Sequence, residues 1–370
     1  MNKNKLKIKE RDTNFELLRI ISMIMILVLH FNVGGEIMTY VHENSKTYYL
    51  VYFLEYACII AVNLYVMITG YYMIKSKIKM KKIITLELTT VFYSVIIYLI
   101  ITLCKQEAFL MKTMMKKFFP IITREYWFIT AYIGLYMLIP FINKLATMNQ
   151  REYSLLLIIL TILLSVVRFI YPSNIIFEAN GGYGLTWFIY LYLLGGYIRL
   201  YVNKIGQKYK MFILYIIVIL VQIIIRKINL PITQGYLNNS LSYNSIFILI
   251  ESVTVFILFK NIEIKNRTIN KVILTISPLT LGVYLIHEHS SFRNILWGTL
   301  LQPKLYLSSG WSLLAALIID VFLIFSICCI IEKIRQLIFK LFSKTSIIKN
   351  IDTKINTFMV KTCNLENKEI

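Results

Sequence analysis

Apolar residues along this chain gather in long runs separated by short polar or basic stretches. Measured against the roughly 20 residues a helix needs to cross a bilayer, ten runs qualify. They lie near residues 14–33, 48–73, 82–103, 126–144, 153–171, 185–202, 210–226, 243–260, 272–290 and 309–331. The pattern predicts an all-α integral membrane protein with about ten transmembrane helices. A membrane domain over residues 1–345 is expected, followed by a polar cytoplasmic tail over 346–370, and no internal repeat is visible.

Two stretches between or after the spans carry a helical rather than a continuous apolar period. In "KQEAFLMKTMMKKFFPIITRE", residues 105–125, Phe109, Met111, Met114, Met115 and Phe118 predict an amphipathic helix lying on the outer interface. Five basic residues accompany it, suited to lipid headgroups or to a lid that attracts an anionic acceptor. In "EKIRQLIFKLFSK", residues 332–344, one apolar face predicts a second interfacial helix, on the cytoplasmic side. Pro140 should kink or end the fourth span.

Charge then orients the bundle. With the N-terminus inside, 28 of the 40 Lys and Arg residues fall on the cytoplasmic side and 10 outside. That imbalance favours ten spans with both termini cytoplasmic. The net charge of +21 therefore reads as contact with anionic membrane lipids, since no basic domain stands apart to bind nucleic acid. The five cysteines show no CxxC spacing, so neither a disulfide framework nor a zinc site is expected. The first apolar run is too long for a cleaved leader and should remain as the first span. No Walker A loop, GxSxG elbow or HExxH motif is present.

Candidate chemistry lies in the polar residues that interrupt the spans. Arg19 and His30 stand eleven residues apart, which returns them to nearly one helix face about 16 Å apart along the axis. Singly, the arginine could snorkel and the histidine could be a satisfied core residue; together on one face they point to a polar passage in the bundle. His287, Glu288 and His289 end the ninth span at the depth expected for His30. Glu55, Glu251, Asp320 and Arg168 also fall within spans and need partners there or, for Arg168, a snorkelling route. Trp127 sits at the predicted outer interface, where an aromatic belt also explains it. Tyr132 and Tyr136 form an i, i+4 ridge that packs or lines a sugar cavity, and Asn63 bonds between helices or meets ligand.

Arg19-x10-His30, "YWFITAYIGLYMLIPFIN", "LTWFIYLYLLGGYIRLY" and "SPLTLGVYLIHEH" occur in this order over nearly the whole chain. Together they resemble the bacterial membrane acyltransferase family 3. The resemblance implies ten spans in the cytoplasmic membrane and transfer of an acetyl group from cytoplasmic acetyl-CoA to hydroxyls of cell-envelope carbohydrate. One departure is plain: the arginine pair many members carry at the third span is replaced by Lys81 and Lys82 in "KKIITLELTTVFY". Under this reading His30 is the base, with an acetyl-histidine intermediate equally allowed, Arg19 binds the CoA phosphates or orients the site, and His287 and Glu288 orient His30 or the acceptor. Trp127, Tyr132 and Asn63 would contact the acceptor, no metal is required, and polysaccharide-synthesis machinery is a candidate partner. The competing expectations are a flippase for a lipid-linked glycan and a purely structural member of an export complex.

Overall fold

The computed structural model describes residues 12–104, 108–171, 179–203, 207–229 and 233–342. These residues form helices joined by turns, and eight of the helices are long and apolar enough to cross a membrane. The protein is thus an all-α integral membrane protein. The remaining two predicted spans are shorter, 17 residues at Leu185–Tyr201 and 15 at Ile246–Lys260, and much of each is buried among neighbouring helices. The residues expected in a tail, 346–370, lie outside the described residues.

Burial separates central from peripheral helices. The apolar windows of Thr13–Gly34, Lys46–Met73 and Arg267–His287 are half or more buried, whereas that of Lys208–Ile228 is only 17% buried. The first group therefore forms the middle of the bundle, and the peripheral helices show their isoleucines and leucines outward, as a lipid-facing surface requires. The face where the first helix begins is here the near face, and the opposite one the far face.

Two central helices meet through glycine. Gly70, on Ala61–Met73, faces the backbone of Tyr192, and Gly195, on Leu185–Tyr201, faces the backbone of Met67. A Cβ would stand 2.0 Å from the Tyr192 oxygen at the first position and 2.2 Å from the Met67 oxygen at the second. Only residues without a side chain permit this approach, the usual means of close helix contact in lipid.

Elsewhere the local signals act as written. The helix containing Pro140 ends two residues later, at Ile142. Asn149 and Glu152 form a reciprocal capping box that starts Gln150–Thr161. Two expectations need correction. The apolar face after residue 331 does not make a separate interfacial helix: one helix runs unbroken from Gly310 to Phe342. Neither proline nor glycine interrupts that stretch, so the i to i−4 ladder simply continues. The outer segment does contain a surface helix, Met111–Lys117, with Met111 and Met115 exposed, but Lys117 turns inward and is buried.

Candidate functional site

One side of the first helix carries Arg19, Met23, Ile26 and His30, at intervals of four, three and four residues. All four line a single cavity of about 380 Å³, with Arg19 toward the near face and His30 toward the far face. The helix is continuous between them, so the rise of about 1.5 Å per residue separates them by about 16 Å. Thr69, Phe128, Tyr132, Tyr284 and other mostly apolar or aromatic groups complete the wall.

At the far end, His30 Nδ1 lies 2.8 Å from His287 Nε2 and 3.2 Å from Glu288 Oε2. His287 is fully buried, and its Nδ1 stands 2.6 Å from the Val283 carbonyl one turn earlier in its own helix. A carbonyl can only accept, so His287 Nδ1 carries the proton and, in the neutral ring, Nε2 accepts. His30 Nδ1–H must then be the donor, with the Glu288 carboxylate as a second acceptor. That assignment leaves the lone pair of His30 on Nε2, the one nitrogen available to the cavity. Glu288 is held in turn by Arg293, whose Nη1 donates to Oε1 at 3.0 Å. The ligating atoms of His30, His287 and Glu288 lie within 4.8 Å of one another, a spacing that three metal ligands also show. The Nδ1–Nε2 separation of 2.8 Å is that of a hydrogen bond.

At the near end, Arg19 Nη1 donates to Glu16 Oε1 at 2.7 Å, and Ser277 Oγ donates to the other oxygen of that carboxylate. Tyr65 donates from its hydroxyl to the Arg19 carbonyl at 2.8 Å. Lys82 lines the cavity with Arg19, beside Tyr72 and Tyr136.

The turn after His287 is clamped from outside. Lys117 Nζ donates to Glu125 Oε1 and to Ser290 Oγ, both at 2.7 Å, and the Ser290 amide donates to the same carboxylate oxygen at 3.1 Å. His289 points away from His30: its Nε2 donates to the Ser94 carbonyl at 3.0 Å, and its Nδ1 accepts from the Ser291 amide. Burial, aided by the Lys117 charge, pushes the His289 pKa down to about 4. Burial alone would raise the Glu125 carboxyl, but the hydrogen bond and charge of Lys117 outweigh it and leave the group below its ordinary range. The basic lid expected here is therefore corrected at Lys117, whose charge is consumed in this clasp.

The other predicted residues divide. Trp127 and Tyr132 line the cavity. Trp127 also forms an aromatic trio with Tyr183 and Tyr243, at ring separations of 4.5 and 5.9 Å. Asn63 is not on the wall. It is fully buried, receives the Trp187 indole N–H on Oδ1, and donates to the Tyr243 carbonyl and Ser252 hydroxyl, so the expected substrate contact is corrected to a structural tie. Glu55 accepts from Asn32 and Glu251 from Gln222, both neutral amides rather than cations. Arg168 donates to Asn239 at 2.9 Å. Lys82, Tyr65, Tyr243 and Arg293 were not singled out as site residues by sequence reasoning. Only Lys82, one of the two lysines found where the arginine pair was expected, left a signal there.

The family model described as acyltransferase domain, acyltransferase family 3, matches residues 12–333. No curated protein and no solved structure matches the chain. The match spans most of the chain, so the protein belongs to the acyltransferase family 3.

Proposed function

We propose that this acyltransferase family 3 protein moves an acetyl group from cytoplasmic acetyl-CoA, entering at the near face, to a carbohydrate hydroxyl at the far face. The cytoplasmic membrane of a bacterium is the setting this reading requires. The observation that carries it is the single cavity with Lys82 and the Glu16-paired Arg19 at one end, two cations to one carboxylate, and a basic imidazole nitrogen at the other. A length of about 16 Å suits an extended pantetheine arm, with its phosphates at Arg19 and Lys82 and its thioester near His30. Lys82 would then do the work expected of the missing arginine pair, as a point charge rather than a planar fork.

In the proposed step, His30 Nε2 takes the proton of the acceptor hydroxyl while that oxygen attacks the thioester carbonyl. The hydrogen bond from Nδ1–H to His287 and Glu288 fixes the ring and stabilises the imidazolium, as a carboxylate does in a catalytic triad. The tetrahedral adduct collapses, the C–S bond breaks, and the imidazolium returns its proton to the departing CoA sulfur. The aromatic trio of Trp127, Tyr183 and Tyr243 beside the cavity offers ring faces to an acceptor sugar.

The test uses purified protein in nanodiscs, with acetyl-CoA and de-O-acetylated envelope polysaccharide. His30→Ala should lower acetyl transfer by about 10²–10⁴-fold, the usual contribution of a positioned general base. Arg19→Ala should chiefly raise the KM for acetyl-CoA. Full transfer by His30→Ala would refute the assignment, and glycan translocation without acetyl-CoA consumption would favour the flippase.

A further inference from the structure

A second cavity, of about 400 Å³, opens at the far face on the other side of the Lys46–Cys58 helix start, and the proposed step does not use it. Its wall includes Glu43, Asn44, Tyr48, Tyr52, Arg226 and Asn238, with Ser240 at its base and only two leucines. At its centre is Arg226, near the far end of Lys208–Ile228. The guanidinium lies 3.7 Å from the Tyr52 ring centre. It donates to the Tyr56 hydroxyl at 3.1 Å, the Tyr48 hydroxyl at 3.2 Å and Ser240 Oγ at 3.0 Å.

Tyr48, Tyr52 and Tyr56 recur every four residues, so their rings share one helix face and hold the guanidinium between them. Among the described residues no carboxylate forms an ion pair with Arg226; its partners are hydroxyls and a ring. Three of its five N–H groups are engaged in these bonds, and the planar fork has two left for a ligand. Asn44 is steadied by the Tyr49 hydroxyl, which donates to Oδ1 at 2.7 Å and leaves the amide N–H₂ as donor.

We propose that this cavity binds carbohydrate: it is an anchoring subsite that holds one part of a glycan while another part is acetylated at His30. The inference rests on the acyl-transfer reading above for its purpose, but not for its chemistry. A sugar needs hydrogen-bond donors and acceptors in alternation over a small area, and guanidinium, amides, hydroxyls and one carboxylate provide both. A lipid tail would need an apolar groove, which two leucines do not make. The two cavities also share one strap of chain. Ser240 lines this one and Tyr243 lines the one containing His30. Three residues of chain span at most about 11 Å, so the two walls meet within the reach of an oligosaccharide.

The test pairs Arg226→Gln with Asn238→Trp. Asn238 is exposed and outside the three-hydroxyl cluster, so the second variant fills the cavity without dismantling it. The probe is oligosaccharide released from de-O-acetylated envelope polysaccharide of the host, assayed free and, separately, on a polyprenyl diphosphate carrier. Calorimetry on nanodisc protein without acetyl-CoA should give binding to wild type that weakens about tenfold or more in both variants, the effect of losing a charged hydrogen bond. In turnover, the KM for the glycan should rise by the same factor while kcat and the KM for acetyl-CoA move less than threefold. The arm that shows this names the acceptor's source, free glycan or lipid-linked. Equal glycan affinity in wild type and both variants overturns the subsite. Binding that the variants abolish, with no acetyl transfer by wild type, keeps the saccharide site and overturns the acyl-transfer reading instead.

Discussion

His30 has two acceptors for one proton, and that redundancy gives a sharp prediction. Nδ1–H can reach His287 Nε2 at 2.8 Å or Glu288 Oε2 at 3.2 Å. Truncating either leaves the other in place, so His287→Ala or Glu288→Ala should each cost about one hydrogen bond of orientation. At about 0.5–1.5 kcal/mol, that is roughly a 2- to 12-fold loss in kcat. Removing both leaves Nδ1 without a partner, and the ring can carry its proton on Nε2 instead, which withdraws the lone pair from the cavity. The double variant should then fall to the level of His30→Ala, about 10²–10⁴-fold below wild type. The losses are therefore more than multiplicative. The assay is acetyl-CoA consumption by the four proteins at matched amounts in nanodiscs, with unfolding midpoints measured alongside. A double variant whose loss equals the product of the two single losses would refute the tautomer argument, because it would show two independent contacts rather than two holders of one proton.

Two further outcomes follow from the clasp at the far face. Lys117 and Glu125 are nearly inaccessible, with side chains 4% and 9% exposed, so Lys117→Met strands a carboxylate out of water. It should destabilise the protein by about 3–5 kcal/mol, read as unfolding in mixed detergent micelles, and adding Glu125→Gln should recover most of this. A loss below about 1 kcal/mol would show that water reaches the pair. His289 supplies the pH dependence: its folded pKa of about 4 lies below the ordinary value near 6.5. Stability is therefore complete above pH 6.5 and is lost as pH falls through 4. Unfolding midpoints measured from pH 7 to 5 should decline in wild type and decline less steeply in His289→Gln; an unchanged slope would place the titrating group elsewhere.

Much of the architecture was legible because membrane helices announce themselves by length and apolarity. The ten runs appear as helices in the expected order, including two too short to qualify on length, Leu185–Tyr201 and Ile246–Lys260. The shared wall of Arg19 and His30 was legible for a similar reason: within one unbroken helix, spacing dictates azimuth. Contacts between helices were not. That Asn63 would be consumed by Trp187, Tyr243 and Ser252 depends on how three distant segments pack. Lys117 read as a surface charge because it is one of five basic residues in the segment 105–125, while its partners Glu125 and Ser290 are fixed only by tertiary folding. The expected break after residue 331 failed because a change of amphipathic character does not by itself stop a helix.

The paired glycines at positions 70 and 195 have a consequence for how the passage can breathe. Where two main chains touch, neither can slide or tilt without colliding, so Ala61–Met73 and Leu185–Tyr201 behave as one stiff keel. Any widening of the cavity must then come from its other wall helices, among them the one that carries Phe128, Tyr132 and Tyr136 and ends just beyond Pro140. The cavity thus has one wall held stiff by main-chain contact, and under the proposed acyl transfer donor and acceptor would move along it.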